Sequence, residues 1–242
     1  MNFEERAEAI RREGHDLSTA ARAVGVDAAV PSCPDWKVAD LLAHTGRIHR
    51  WVTGILVERK AARGEHWSEN EPPPAAELLD WFAAGVDPLA DALLDAGADV
   101  EVWTWTPEKT SGFWARRQSV ETAVHRYDAQ LAAGNPTPVE RALAVDGVDE
   151  LFDLIPFWPW ADRVKGNGET LHFHCTDGAG EWFVRLNSDG VDVTREHAKG
   201  DVAARGSASD LLLFLYGRVA AEQLDVFGDA ALLAHWRELV NW

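Results

Sequence analysis

Cysteine is scarce in this 242-residue chain: Cys33 and Cys175 are the only two, and they stand far apart. Two isolated cysteines make neither a spaced metal motif nor a disulfide framework. Basic residues are also in short supply, with 23 Lys and Arg against 40 Asp and Glu and a formal net charge of -17. Phosphate backbones and anionic membranes bind through basic surfaces that displace counterions, so neither is an expected partner. The sequence has no run of about 20 apolar residues to span a bilayer. Its first residues, MNFEERAEAIRREG, lack the apolar core of a secretory signal. A cytoplasmic protein is expected, monomeric or a weak homo-oligomer. Apolar residues, in contrast, make up 46% of the chain, enough for one large domain or two smaller ones.

The residues from 116 to 131, RRQSVETAVHRYDAQL, organise the reading. No Gly or Pro interrupts them, and Val120, Val124, Tyr127 and Leu131 recur three or four positions apart, which predicts a helix with one buried side. Glu121 and His125 are four apart and project from the same flank. A carboxylate and an imidazole so placed can be two ligands of a divalent metal that takes its third from another helix. A surface Glu–His pair is the competing reading.

Earlier in the chain, a first helix is predicted over residues 2–24, its apolar stripe interrupted by Gly14. The loop PSCPDW follows; its Cys33 has no partner at a spacing that identifies an activated nucleophile. A second helix is predicted over residues 35–63, with Asp35 as N-cap. Leu41, His44, Ile48 and Ile55 share its inner face, so His44 points inward as the natural third ligand, or as a hydrogen-bonded core histidine. His49 is turned about 140° away. His66 and Trp67 fall in a polar, proline-containing loop and are expected at a rim. A third helix over residues 75–96 and a tryptophan-rich connection over residues 99–112, serving as a plug or as a pocket wall, lead to the fourth helix. Four helices with these connections describe a bundle that can build a metal site between facing elements.

Beyond residue 138 the pattern changes. A short helix over residues 148–155 precedes strands over 170–175, 182–186, 191–194 and 201–204, with a tight hairpin at Asp189–Gly190. Helices over residues 207–223 and 229–239 close the chain. His172 and His174 share one strand face and form a rival metal pair. No nearby carboxylate or cysteine completes that set, Cys175 facing the other side, so solvated or cross-strand packing roles are expected. The overall expectation is an α+β protein, with a four-helix bundle over residues 1–138 and a small α+β domain over residues 139–242.

Two stretches carry a resemblance. The pattern C-P-x-W-x-x-x-D-L-L-x-H from Cys33 to His44 and R-R-x-x-x-E-T-x-x-H-R-x-D-A from Arg116 to Ala129 resemble the mycothiol-dependent maleylpyruvate isomerase family, whose N-terminal domain is a DinB-like bundle. The stretch DLLLFLYGR from Asp210 to Arg218 is similar to that family's second domain. The resemblance implies His44, Glu121 and His125 as ligands of a divalent metal, zinc being the expected ion, and mycothiol as thiol cosubstrate. It also implies Arg218 as an arginine near the substrate. Arg116 and Arg117 are salt-bridge candidates, either of which could instead hold a carboxylate.

Three ligands leave zinc an open position at which a thiol would lose its proton. The thiolate could then attack a small electrophile and stay attached, or add to a conjugated cis double bond and leave after rotation. Many tryptophans and an acidic average favour the transferase, with the isomerase as alternative. A non-catalytic metal-binding module is the third reading.

Overall fold

Asn2 opens the first helix, α1 (Phe3–Val24), through a reciprocal capping box: its Oδ1 accepts from the Glu5 N–H at 2.8 Å, and Glu5 Oε2 accepts from the Asn2 N–H at 2.8 Å. This start belongs to a computed structural model that describes residues 1–63 and 70–240. His66 and Trp67 lie outside the described residues. The chain divides into two compact units, Met1–Val139 and Glu140–Trp242.

In the first unit Gly14 does not break α1. It makes room for a neighbour, since a Cβ there would meet Val86 Cγ1 at 2.6 Å. The second helix, α2 (Val38–Val57), is shorter at both ends than predicted. Its N-cap is Lys37 rather than Asp35, with Asp40 Oδ2 accepting from the Lys37 N–H at 2.8 Å. At its C-terminus Arg59 takes the left-handed conformation at φ 47°, and the Lys60 N–H bonds the Ile55 carbonyl at 3.0 Å. This is a Schellman ending with arginine where glycine is usual, so composition did not announce it.

The third predicted helix is two: α3 (Leu78–Ala83) and α4 (Val86–Ala96). Pro88 supplies the reason. Inside one continuous helix it could not donate to the Ala84 carbonyl and its ring would clash there, whereas in the first turn of α4 no donor is required. The Arg50 guanidinium uses the break, donating to the Trp81 carbonyl and lying 3.9 Å from the centre of the Trp81 ring.

Helix α5 (Ser111–Ala132) begins five residues before its predicted start. It lies along α1, and α2 packs against α3, α4 and α5. Leu17, Leu41, Leu42, Phe82 and Val86 belong to the core of this unit. Between α1 and α5, Glu13 and Arg126 form a buried ion pair at 2.9 Å. Arg126 also donates to the Thr137 carbonyl at 2.6 Å, so its charge is well satisfied. The tryptophan-rich connection acts as a plug: Trp103 and Trp105 pack with Trp51, Phe113 and Trp114, and Trp114 Nε1 donates to the Trp103 carbonyl at 2.8 Å.

The second unit opens with α6 (Arg141–Leu154), seven residues earlier than predicted because the Glu140 carboxylate caps the Ala142 and Leu143 N–H groups. Its sheet has the order β3-β2-β1-β4-β5, formed by β1 (Thr170–Cys175), β2 (Glu181–Asn187), β3 (Gly190–Thr194), β4 (Val202–Gly206) and β5 (Asp225–Gly228). β1 pairs in parallel with β4 and antiparallel with β2, and the predicted β2–β3 hairpin forms with its turn at Ser188–Asp189, one residue before the expected Asp189–Gly190.

The helix predicted over 207–223 stops early, as α7 (Ala208–Leu215). Gly217, at φ 86°, ends it, with the Arg218 N–H on the Leu213 carbonyl at 2.7 Å. That stop frees the chain to return as β5, a strand the sequence reading missed. Helix α8 (Ala230–Leu239) closes the unit. Among the described residues no helix is long and apolar enough to cross a membrane.

Candidate metal centre

Helices α2 and α5 bring His44, Glu121 and His125 together. One ligand atom from each lies within 4.8 Å of the others. His44 Nε2 stands 3.4 Å from Glu121 Oε1, and the two imidazole rings meet edge to face with centroids 5.2 Å apart. The spacing of four places Glu121 and His125 one helical turn apart on α5. The His44 side chain is 35% exposed and that of Glu121 16%, so the cluster is reached from solvent along α2.

The surroundings set the charge of each group. Burial alone would raise the Glu121 carboxyl, but the His44 hydrogen bond and the charges of Arg117 and both histidines outweigh it and hold its pKa at about 2. Arg117 Nε lies 3.4 Å from Glu121 Oε2, which gives one of the two candidate arginines a definite role. For His125, burial lowers the pKa against the opposing pull of Asp128. An imidazole held neutral and a carboxylate held ionised are the protonation states in which these side chains ligate metals.

Three residues absent from the predicted site contribute to it. Asp128 Oδ2 lies 2.9 Å from His125 Nδ1, and the Ser32 hydroxyl donates to Asp128 Oδ1 at 2.5 Å. The spacing of three between His125 and Asp128 was the available sequence signal, because it puts the carboxylate beside the ring on the same helix face. Trp36 packs over both histidines, its ring 5.0 Å from His44 and 6.1 Å from His125. Cys33, three residues before it, is partly exposed and not in a disulfide.

His49 corrects the expected contrast with His44. It is fully buried, with Nε2 3.0 Å from Thr122 Oγ1 of α5 and its ring 5.8 Å from Phe82 of α3. A turn of about 140° around α2 leads to another covered face, because α2 has neighbours on more than one side. Burial lowers the His49 pKa to about 4, so it is a neutral core histidine.

The second unit holds another cluster, which corrects the expectation that nothing completes the His172/His174 pair. Glu181 on β2 is in register with His174, and His197 arrives from the segment after β3. One ligand atom from each of the four residues lies within 4.8 Å of the others. Arg218 also belongs to this unit, where its Nη1 donates to the Tyr216 carbonyl at 2.6 Å. The structure thus gathers His44, Glu121 and His125 into one cluster, while Arg218 sits just past the end of α7.

Residues 7–130 match the family profile described as the mycothiol maleylpyruvate isomerase N-terminal domain, and residues 142–235 match the profile of the same family's C-terminal domain. No curated protein matches the sequence. The fold is similar to that of a crystal structure of the mycothiol-dependent maleylpyruvate isomerase, with a TM-score of 0.65 and 15% identity over 93% of each chain. A histidine-to-alanine mutant of that isomerase compares equally, with a TM-score of 0.64 and 14% identity over 93% of each chain. At such identities the structural likeness speaks for the fold alone. With both domain profiles matched in order along nearly its whole length, the chain belongs to the mycothiol maleylpyruvate isomerase family.

Proposed function

We propose that this protein is a mycothiol-dependent cis–trans isomerase acting on a small unsaturated keto-diacid of the maleylpyruvate type, with His44, Glu121 and His125 holding a divalent metal. The observation that carries the reading is the convergence of three donor atoms within 4.8 Å, in a chain of this family. The donor set fits a zinc-class ion. Two imidazoles and a carboxylate leave a fourth position open, and Asp128 engages His125 Nδ1, which leaves Nε2 for the metal. When bound, such a cation supplies acidity: it lowers the pKa of a thiol enough for the thiolate to be present at neutral pH.

The chain's own residues do the rest. Asp128 and Ser32 fix the His125 ring, Arg117 holds Glu121 ionised, and Trp36 shields one side of the histidines from water. In the proposed reaction the cosubstrate thiolate adds to the cis double bond and the resulting single bond rotates. Elimination then restores the free thiolate and leaves the trans alkene, with no net change in the thiol. The tryptophan content that favours a transferase in the sequence is taken up by Trp51, Trp103, Trp105 and Trp114 packing on one another, so it does not argue for an apolar electrophile. Arg218 keeps the place near the substrate that the family resemblance implies.

The test is turnover of maleylpyruvate by metal-loaded protein with and without reduced mycothiol, alongside calorimetry that uses S-methylated mycothiol as control. Thiol-dependent isomerisation and binding that needs the free thiol are expected. Absence of both would overturn the reading and leave a non-catalytic module. Arg218→Ala is expected to raise KM about tenfold with metal content unchanged; an unaltered KM would remove that residue from the proposal.

A further inference from the structure

The sheet of the second unit has two unlike faces. Leu171, Phe173, Trp182, Val184, Val202 and Ala204 are buried on one. There Phe173 meets Phe152 of α6 and Trp236 of α8. Strand alternation puts His172, His174 and Glu181 on the other face. The segment between β3 and β4 then adds His197.

We propose that His172, His174, Glu181 and His197 form a second divalent-metal site, separate from the helical cluster and suited to a zinc-class cation. Three imidazoles surround a single carboxylate. Glu181 Oε2 stands 3.3 Å from His172 Nε2 and 2.8 Å from His197 Nδ1, and Glu181 Oε1 stands 3.1 Å from His174 Nδ1. The three rings lie 5.3 to 5.9 Å apart, centroid to centroid. With metal–ligand bonds of about 2.0–2.1 Å, a tetrahedron has edges near 3.4 Å, the scale of these separations.

Three imidazoles and one carboxylate are a zinc-class donor set. Two arginines of this face make contacts with aromatic rings: Arg205, in register with His174, lies over the Phe227 ring, and Arg185 over the Phe183 ring. Four protein donors from two strands and a loop leave no open position. The site is therefore structural, an ion that ties the segment carrying His197 to the β1–β2 hairpin.

Metal analysis of the untagged full chain, stripped and reloaded with zinc or cobalt(II), tests this. Wild type is expected to hold about two ions per chain and His174→Gln about one. His125→Ala is expected to keep the sheet ion, with the visible bands of tetrahedral cobalt(II), and the His125→Ala/His174→Gln double variant to lose them. His197→Ala changes a side chain that is 77% exposed, so the fold is preserved; it is expected to weaken the sheet ion at least about tenfold. Metal content that is indifferent to His174→Gln and His197→Ala in protein of unchanged circular dichroism would overturn the site and leave a hydrogen-bonded cluster. Failure of the helical site would show separately, as indifference to His125→Ala.

Discussion

The helical and sheet clusters use the same side chains and arrive at different openness. On α5 the helix repeat sets Glu121 and His125 one turn apart, and α2 contributes His44, making three donors beside a buried aspartate. On β1 the strand repeat of two aligns His172 with His174, antiparallel register adds Glu181, and a loop adds His197, making four. Three donors leave room for a fourth ligand to come and go, whereas four close the shell. On the readings proposed above, the first arrangement suits chemistry and the second suits fastening. The same imidazoles and carboxylates serve either end; the number that converge decides which.

The sharpest way to break the comparison is His125→Ala. It is expected to lower thiol-dependent turnover by more than about a hundredfold, because even residues behind a ligand cost 10–100-fold when changed. Metal in the sheet cluster should persist, and loss of both ions together would mean that the clusters are not independent. Asp128→Asn comes next, with an expected loss of about 10–100-fold in metal affinity at the helical cluster, read by competition with a chelator. No change would show that the His125 ring needs no such support.

Acid should next weaken the helical unit through a buried histidine. His49 has a folded pKa of about 4 because burial opposes its charge, while an unfolded histidine titrates near 6.5. The unfolded state therefore binds more protons between those values. The stability contribution is complete above about pH 6.5 and declines on acidification, by about 2 kcal/mol between pH 7 and pH 5. His172 is also lowered by burial, with Glu181 opposing the shift, so acid acts on the sheet unit in the same direction. Urea unfolding at the two pH values is the measurement, and His49→Gln should flatten it; an unaltered pH dependence in that variant would contradict the assignment.

The smallest expected effect concerns Cys175, buried at the end of β1, where burial raises its pKa to about 11. Iodoacetamide should label Cys33 first and reach Cys175 only when β1 and β2 part. Zinc in the sheet cluster should slow that labelling about fivefold in the His125→Ala background. An unchanged rate would argue against the fastening role.

Much of this was legible from local rules. The interval of four in Glu121 and His125 and the apolar stripe that carries them act within one or two turns of chain. What local rules missed has physical causes. Pro88 was readable as a first-turn residue, and it would have divided the third helix. Arg59 in a left-handed ending carries no compositional mark. Gly217 was a marked stop for α7, yet the apolar run before it suggested continuation, and β5 was lost with that choice. His49 was set aside because one buried face was assumed where α2 has more than one.

By itself the sequence determined which residue types share a helix flank or a strand face, since those repeats follow from backbone geometry at 3.6 and 2.0 residues. It also determined the class of protein: a helical part, then a small sheet part, with acidity that disfavours polyanions. Only the tertiary structure decided what meets across elements. Glu181 reached His174 through strand register, His197 reached both through a loop, and Trp36 reached the helical cluster through the turn before α2. Such meetings depend on how separate segments fold back on one another, and no local periodicity encodes that.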